Sequence, residues 1–262
     1  MDLAIDGNAA LVSASSSGLG KASAKALARE GADVVINGRD EDRLAAAREE
    51  VSAVASGEVI AQPGDITDPA ETEALVETAV AEFGGLDHLV TSAGGPPSGP
   101  FLDTDDADWQ DAFDLLVMSV VRLARAAEPH LTDGGGTIVT ITSRSVKEAI
   151  DALVLSNAVR MSVIGLEKTL SKEFAPEVRA NAVLPGAHET SRIEDLMEQA
   201  IDRGEHADMD EARDAWGEGI PLERIGDPME LGDTVAFLSS PKSGYINGAA
   251  IPIDGGSMGS NL

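Results

Sequence analysis

Short runs of apolar, often β-branched residues recur along the chain, and between them lie longer stretches whose apolar positions return every three or four residues. The first pattern fits strands buried on both faces, and the second fits amphipathic helices packed over them. Strands are expected at 9–12, 33–36, 59–61, 88–90, 137–141, 180–184 and 249–253, and helices at 20–30, 41–55, 69–83, 107–128, 154–174 and 229–239. Pro69 suits the first turn of its helix, where a missing N–H costs nothing, and Pro129 is expected to stop the helix before it. Alternating strands and helices predict an α/β fold, a doubly wound parallel sheet of about seven strands in a single domain over residues 1–262. The connection at 187–225 is long, acidic and helical in part, and a connection of that length is expected to serve as a lid over a substrate site.

Composition changes this picture in two places. The chain has no cysteine, which removes disulfides, thiolate metal ligands and cysteine nucleophiles together. Its 46 acidic against 19 basic residues leave a net charge of −27, which opposes binding to nucleic acid and to anionic membranes. Acidity spread along the whole chain resembles adaptation to a salt-rich cytosol. No export signal is visible at the N-terminus and no apolar run approaches the roughly 20 residues of a membrane span, so a cytoplasmic protein is expected. The cluster Asp103, Asp105, Asp106 and Asp108 lacks a liganding-loop pattern and reads as a solvated helix start, so no metal site is expected.

Residues able to do chemistry gather in the turns after the strands. Ser13-Ala14-Ser15-Ser16-Ser17-Gly18-Leu19-Gly20 follows the first strand and opens a helix, where exposed N–H groups can receive a pyrophosphate. Further along come Gly64-Asp65-Ile66-Thr67-Asp68, Thr91-Ser92-Ala93-Gly94-Gly95, Asn181-Ala182-Val183-Leu184-Pro185-Gly186 and Asp254-Gly255-Gly256. Each alone is a weak signal. In this order they resemble the short-chain dehydrogenase/reductase family, whose fold is of the Rossmann type. The first resembles the family's T-G-x-x-x-G-x-G with Ala14 in place of the first glycine. The turn after the fourth strand resembles N-N-A-G with Thr91 and Ser92 replacing both asparagines. The resemblance implies that Ser13, Ser15, Ser16, Ser17, Gly18, Leu19 and Gly20 surround the pyrophosphate of a dinucleotide and that Asp65 and Ile66 meet the adenine. It implies too that Ser92, Ala93, Gly94, Pro185 and Gly186 line the remainder of the cofactor site. Family members using NAD usually carry an acid where Gly38 stands. The open space at Gly38, followed by Arg39 able to pair a 2′-phosphate, favours NADP over NAD.

The same resemblance exposes a gap. The family reduces carbonyls with a Tyr-x-x-x-Lys pair, a serine and an asparagine. Ser143 keeps the serine's place. Aligning Ser156 and Ala158 on the usual Y-x-x-S-K-A puts Leu153 at the tyrosine position and Asn157 at the lysine position, and Leu116 stands for the asparagine. Among the ionisable residues nearby (Arg144, Lys147, Glu148, Arg160 and His188), His188 and Lys147 are the candidates for the missing acid. A histidine titrates near neutrality, and a lysine does so when desolvated. The run Gly94-Gly95-Pro96-Pro97-Ser98-Gly99-Pro100-Phe101 and the triplet Leu155-Ser156-Asn157 are similar to a divergent branch of the family near the 3-oxoacyl carrier-protein reductases. That branch implies an NADP(H)-dependent oxidoreductase acting on a small carbonyl or alcohol. The alternatives are a nucleotide-binding pseudo-enzyme, acting as sensor or inert partner subunit, and other chemistry in the same cleft, such as dehydration or epimerisation. In the resembled family the helices after the fourth and fifth strands pack across a two-fold axis, and their apolar stretches here, 115–118 and 161–166, imply a homodimer or homotetramer.

Overall fold

The strands are β1 (Ala9–Val12), β2 (Asp33–Gly38), β3 (Val59–Pro63), β4 (His88–Thr91), β5 (Gly136–Ile141), β6 (Val178–Pro185) and β7 (Ala250–Ile253). They form one seven-stranded sheet in the order β3-β2-β1-β4-β5-β6-β7, with every neighbouring pair parallel. The computed structural model describes residues 1–260, apart from the side chains of residues 192, 195 and 196. Strand order reverses between β1 and β4, and in such sheets a crevice opens beyond the carboxyl ends of the strands at that reversal.

Alternation along each strand sends side chains to opposite faces, and helices cover both. Val12, Val34, Ile36 and Val139 pack with Leu27 of α1 (Gly18–Arg29), Leu44 of α2 (Glu41–Ser52) and Leu231 of α9 (Pro228–Ser239). Leu11, Val35, Leu89 and Ile138 pack on the other face with Leu75 of α3 (Pro69–Phe83), Leu123 of α5 (Ser119–Gly134) and Leu170 of α6 (Val154–Glu173). Many of the acids act locally as helix caps. The Asp40 side chain accepts from the Arg43 amide at the start of α2, Asp68 does the same for α3, and Asp227 and Glu230 form a capping box on α9.

The helix after β4 differs from expectation. It runs as α4 (Asp106–Phe113), a wide π-helical turn (Asp114–Met118) and α5, and Pro129 lies inside α5 instead of ending it. The turn beyond Pro129 is held because Leu131 is fully buried and the Thr132 hydroxyl donates to the Glu128 carbonyl at 2.9 Å. Packing of that turn outweighs the lost helical hydrogen bond. The long connection carries α7 (Ser191–Asp202) and α8 (Met209–Gly217), which share a small core of Met197, Ala212, Ile220 and Ile225. Among the described residues, no helix is long and apolar enough to cross a membrane.

Candidate active site

A cleft of about 970 Å³ lies at the carboxyl ends of the strands. Its first half is built from backbone. The turn after β1 carries Ala14 at φ +44, a left-handed conformation that a side chain disfavours, and its carbonyl lies where a Cβ at Gly20 would come within 2.5 Å. Glycine is therefore required at 20 for α1 to start this close to the strand. Ser17 caps α1 with extended backbone but makes no side-chain cap bond, and no acid sits in the first turn. In a chain so rich in acidic caps, the amides of α1 remain open to an anion.

Asn37 joins the neighbouring turns. Its Oδ1 accepts from the Ala14 amide at 3.1 Å, and its Nδ2 donates to the carbonyls of Gln62 at 3.2 Å and Gly64 at 3.0 Å. Beside it, a Cβ at Gly38 would come within 2.8 Å of the Ser16 Cβ, so an acidic side chain at 38 would require Ser16 to move. Arg39 is exposed and pairs with Asp65 at 3.6 Å. Burial works against the Asp65 charge, yet the Thr67 amide and hydroxyl and the Arg39 guanidinium hold its carboxyl below the usual value.

The second half is built from side chains at the ends of β5 and the start of α6. Ser143 Oγ accepts from the Ser145 amide at 3.1 Å, which leaves its own proton free to donate. Ser156 Oγ lies 3.2 Å from Ser145 Oγ and accepts from Arg160 Nε at 3.2 Å. Arg160 is buried, and its guanidinium also donates to the carbonyls of Thr142 (3.4 Å) and Gly94. Ser156 and Arg160 are four residues apart on one helix face, so the helix presents a hydroxyl with a fixed cation behind it. Deeper along α6, Glu167 is fully buried. Thr91 donates to Thr140 at 2.8 Å, Thr140 donates to Glu167, and the other carboxyl oxygen has no hydrogen-bond partner. Burial pushes this carboxyl up to about 8, so it is neutral at neutral pH and pins α6 to the ends of β4 and β5.

Most of the expected cofactor residues meet in this cleft: Ser16, Ser17, Gly18, Leu19, Gly20, Arg39, Asp65, Ile66, Ser92, Ala93, Gly94, Pro185 and Gly186 all line it. Two expected ones do not. Ser13 is buried, bonded to the Ser92 carbonyl at 2.7 Å and amide at 2.9 Å, and Ser15 is buried against the Val12 carbonyl and the Asn37 amide. Both brace the turn from within. Ser143 lines the cleft, whereas Lys147 is exposed and His188 is buried outside it. His188 packs on Gly226 and donates from Nδ1 to the Gly186 carbonyl at 3.2 Å, and burial lowers its pKa, which keeps the ring neutral. Leu153 caps α6 and lines the cleft, but Asn157 turns both ends of its amide to the Ile150 backbone, at 3.1 and 2.8 Å. Three residues further along than that pair, Ser156 and Arg160 both line the cleft, together with Leu153. Leu116 is buried in the helical core, and its neighbour Leu115 in the π-helical turn lines the cleft.

The family model described as enoyl-(acyl carrier protein) reductase matches residues 13–258. Dehydrogenase/reductase SDR family member 4 of Bos taurus is 31% identical over 261 residues, covering 97% of this chain and 88% of that protein. The chain belongs to the short-chain dehydrogenase/reductase family. Two solved structures of such oxidoreductases place it further. The L-sorbose reductase of Gluconobacter frateurii, solved with NADPH and L-sorbose, superimposes with a TM-score of 0.93 at 31% identity, over 99% of this chain and all of that one (100%). A short-chain oxidoreductase of Pseudomonas aeruginosa PAO1, described as containing an atypical catalytic centre, gives a TM-score of 0.90 at 30% identity, over 97% of this chain and 98% of that one. These relatives are oxidoreductases, and they lend no support to the pseudo-enzyme reading.

Proposed function

We propose that this short-chain dehydrogenase/reductase is an NADP(H)-dependent oxidoreductase that interconverts a small carbonyl compound and its alcohol, with Ser143, Ser156 and Arg160 at the reacting end. The observation that carries the reading is one continuous cleft that runs from the open N-terminus of α1 to these three side chains. The nucleotide fits the first half: the α1 amides suit a pyrophosphate, while Ser16, Arg39 and Arg43 suit a 2′-phosphate beside a Gly38 where an acid would require Ser16 to move. The L-sorbose reductase solved with NADPH supports this choice of nucleotide.

A nicotinamide bound in the cleft would supply the hydride. Ser143 donates its free proton as a hydrogen bond to the carbonyl oxygen and polarises it. Ser156 passes its hydroxyl proton to the same oxygen as the hydride arrives, the fixed positive charge of Arg160 stabilises the alkoxide left behind, and a solvent proton entering through the cleft restores the Ser156 hydroxyl. Arg160 itself stays protonated throughout. The connection at 187–225 acts as the lid, with Ile193 and Trp216 facing the cleft.

Fluorescence titration in molar salt should show NADPH binding at least about tenfold tighter than NADH, or about 1.4 kcal/mol. A screen of aldehydes, ketones and sugar alcohols should then give turnover that falls about a hundredfold in Ser143→Ala and in Ser156→Ala. Equal affinity for the two nucleotides would remove NADP from the proposal. NADPH binding with no turnover of any carbonyl or alcohol would remove the oxidoreductase. The assembly is part of the same proposal: Phe113 and Met161 are 45% and 52% exposed on the helices that pair in the family, and light scattering should report a dimer or tetramer.

A further inference from the structure

We propose that the substrate is a small oxo or hydroxy acid whose carboxylate is held by Arg144, an inference that rests on the oxidoreductase reading above. Among the described side chains, the charged residues lining the cleft are Arg39, Arg43, Arg144, Arg160, Asp65 and Asp151, with no lysine or glutamate among them. A chain of net charge −27 has thus reversed its own balance inside the cleft, and a low-dielectric cleft focuses the field of such residues on an anionic ligand.

Three of the four arginines have work elsewhere. Arg39 and Arg43 sit at the nucleotide end, and Arg160 is buried on Ser156 and two backbone carbonyls. Arg144 follows Ser143 directly, is half-buried, and donates to Ser257 Oγ at 3.3 Å. Among the described residues no carboxylate oxygen lies within 4.0 Å of it; Arg43, Arg48, Arg125 and Arg179 likewise lack a carboxylate, whereas Arg29, Arg39, Arg122, Arg203, Arg213 and Arg224 pair with one. The nearby Glu148 carboxylate instead accepts from the Gly259 amide at 3.1 Å. Of these, Arg144 is the one that lines the cleft directly beside the polarising serine, and its planar guanidinium there suits a ligand's own carboxylate.

The surroundings narrow the class. Asp151 lines the same end and repels a phosphate dianion more than a single carboxylate. Leu115, Leu153, Ile193 and Trp216 line the cleft as well and suit a short carbon chain. An acid bound here would present its carbonyl to Ser143 and Ser156 with the carboxylate on Arg144.

The test compares short 2-oxo and 3-oxo acids with their methyl esters as substrates for NADPH oxidation. The acids should be favoured by at least about tenfold in kcat/KM. Arg144→Met should raise KM for the acids and leave the esters unchanged, Arg144→Lys should recover part of the loss, and unchanged melting temperatures would separate this from a lost tether to Ser257. Equal use of acids and esters, or a preference for phosphorylated carbonyls over carboxylates, would overturn the inference and leave the oxidoreductase standing. Should no carbonyl be turned over, the oxidoreductase reading fails, and quenching of Trp216 by the oxo acids in a Trp109→Phe background decides the inference alone. Quenching that disappears in Arg144→Met supports the anion site, and no quenching in the unaltered Arg144 protein overturns it.

Discussion

The two ends of the cleft, proposed above for the nucleotide and for the reaction, are made in different ways. At the nucleotide end the groups that face the ligand are mostly main-chain: the amides of α1, the turn at Ala14, and the Gly38 space guarded by Ser16, tied together by Asn37. At the reacting end they are a few side chains, Ser143, Ser156 and Arg160, on a frame whose deeper support is a neutral buried carboxyl, Glu167. A backbone site keeps its N–H donors through most substitutions, so Ala14 retains its amide at the cost of a left-handed backbone, although Gly20 admits no side chain. A side-chain site changes character with each substitution.

The largest break in that contrast should come from Arg160→Met. Turnover should fall by about 10²–10⁴ while NADPH affinity changes far less, as steady-state kinetics and fluorescence titration would report. Equal losses in both would mean that the two ends are one unit. Gly38→Asp acts in the opposite half. It forces Ser16 aside and sets a negative charge near the 2′-phosphate, so NADPH affinity should drop at least about tenfold with little change in turnover at saturation.

Glu167 tests the frame of the reacting end. Its folded-state pKa of about 8 stands above the ordinary 4.5, so the folded protein holds a proton that the unfolded chain releases. The corresponding stability is complete below pH 4.5 and is lost as pH rises toward 8, at no more than about 1.4 kcal/mol per pH unit. Denaturant unfolding between those limits should show the decline, and Glu167→Gln, neutral at every pH, should flatten it. A decline of the same slope in the glutamine variant would place its origin elsewhere. The smallest effect belongs to the nucleotide end: Ala14→Gly should relieve the left-handed strain and add about 1 kcal/mol of stability, seen as a rise in Tm.

Much of this molecule is legible in sequence, because strand and helix patterns and glycine-serine turns are local signals. They predict the parallel sheet, the position of nearly every strand and most of the residues that line one half of the cleft. The misses share one cause, which is that direction and burial are set by distant residues. Ser13 and Ser15 look like phosphate donors along the chain, but Asn37 and Ser92 draw them inward. His188 and Lys147 fall near the site in sequence, yet Gly226 closes over the first and the second faces solvent. Asn37 was visible as a polar residue ending an apolar strand, but its role depends on three turns meeting.

The start of α6 shows the division most clearly. The sequence by itself determined that a helix follows β5 and that no tyrosine lies on it. It could not choose between Leu153 with Asn157 and Ser156 with Arg160. Residues three apart differ by only about 60° around a helix, so both pairs occupy nearly the same face, one turn apart. Tertiary structure makes the choice. The Gly99 amide bonds the Ala152 carbonyl at 2.6 Å, Asn157 is drawn to the Ile150 backbone, and the segment before α6 is fixed where Arg160 reaches Gly94 and Thr142. The set of these hydrogen bonds includes two, Gly99 to Ala152 and Arg160 to Gly94, that join segments more than 50 residues apart, and no local pattern encodes those.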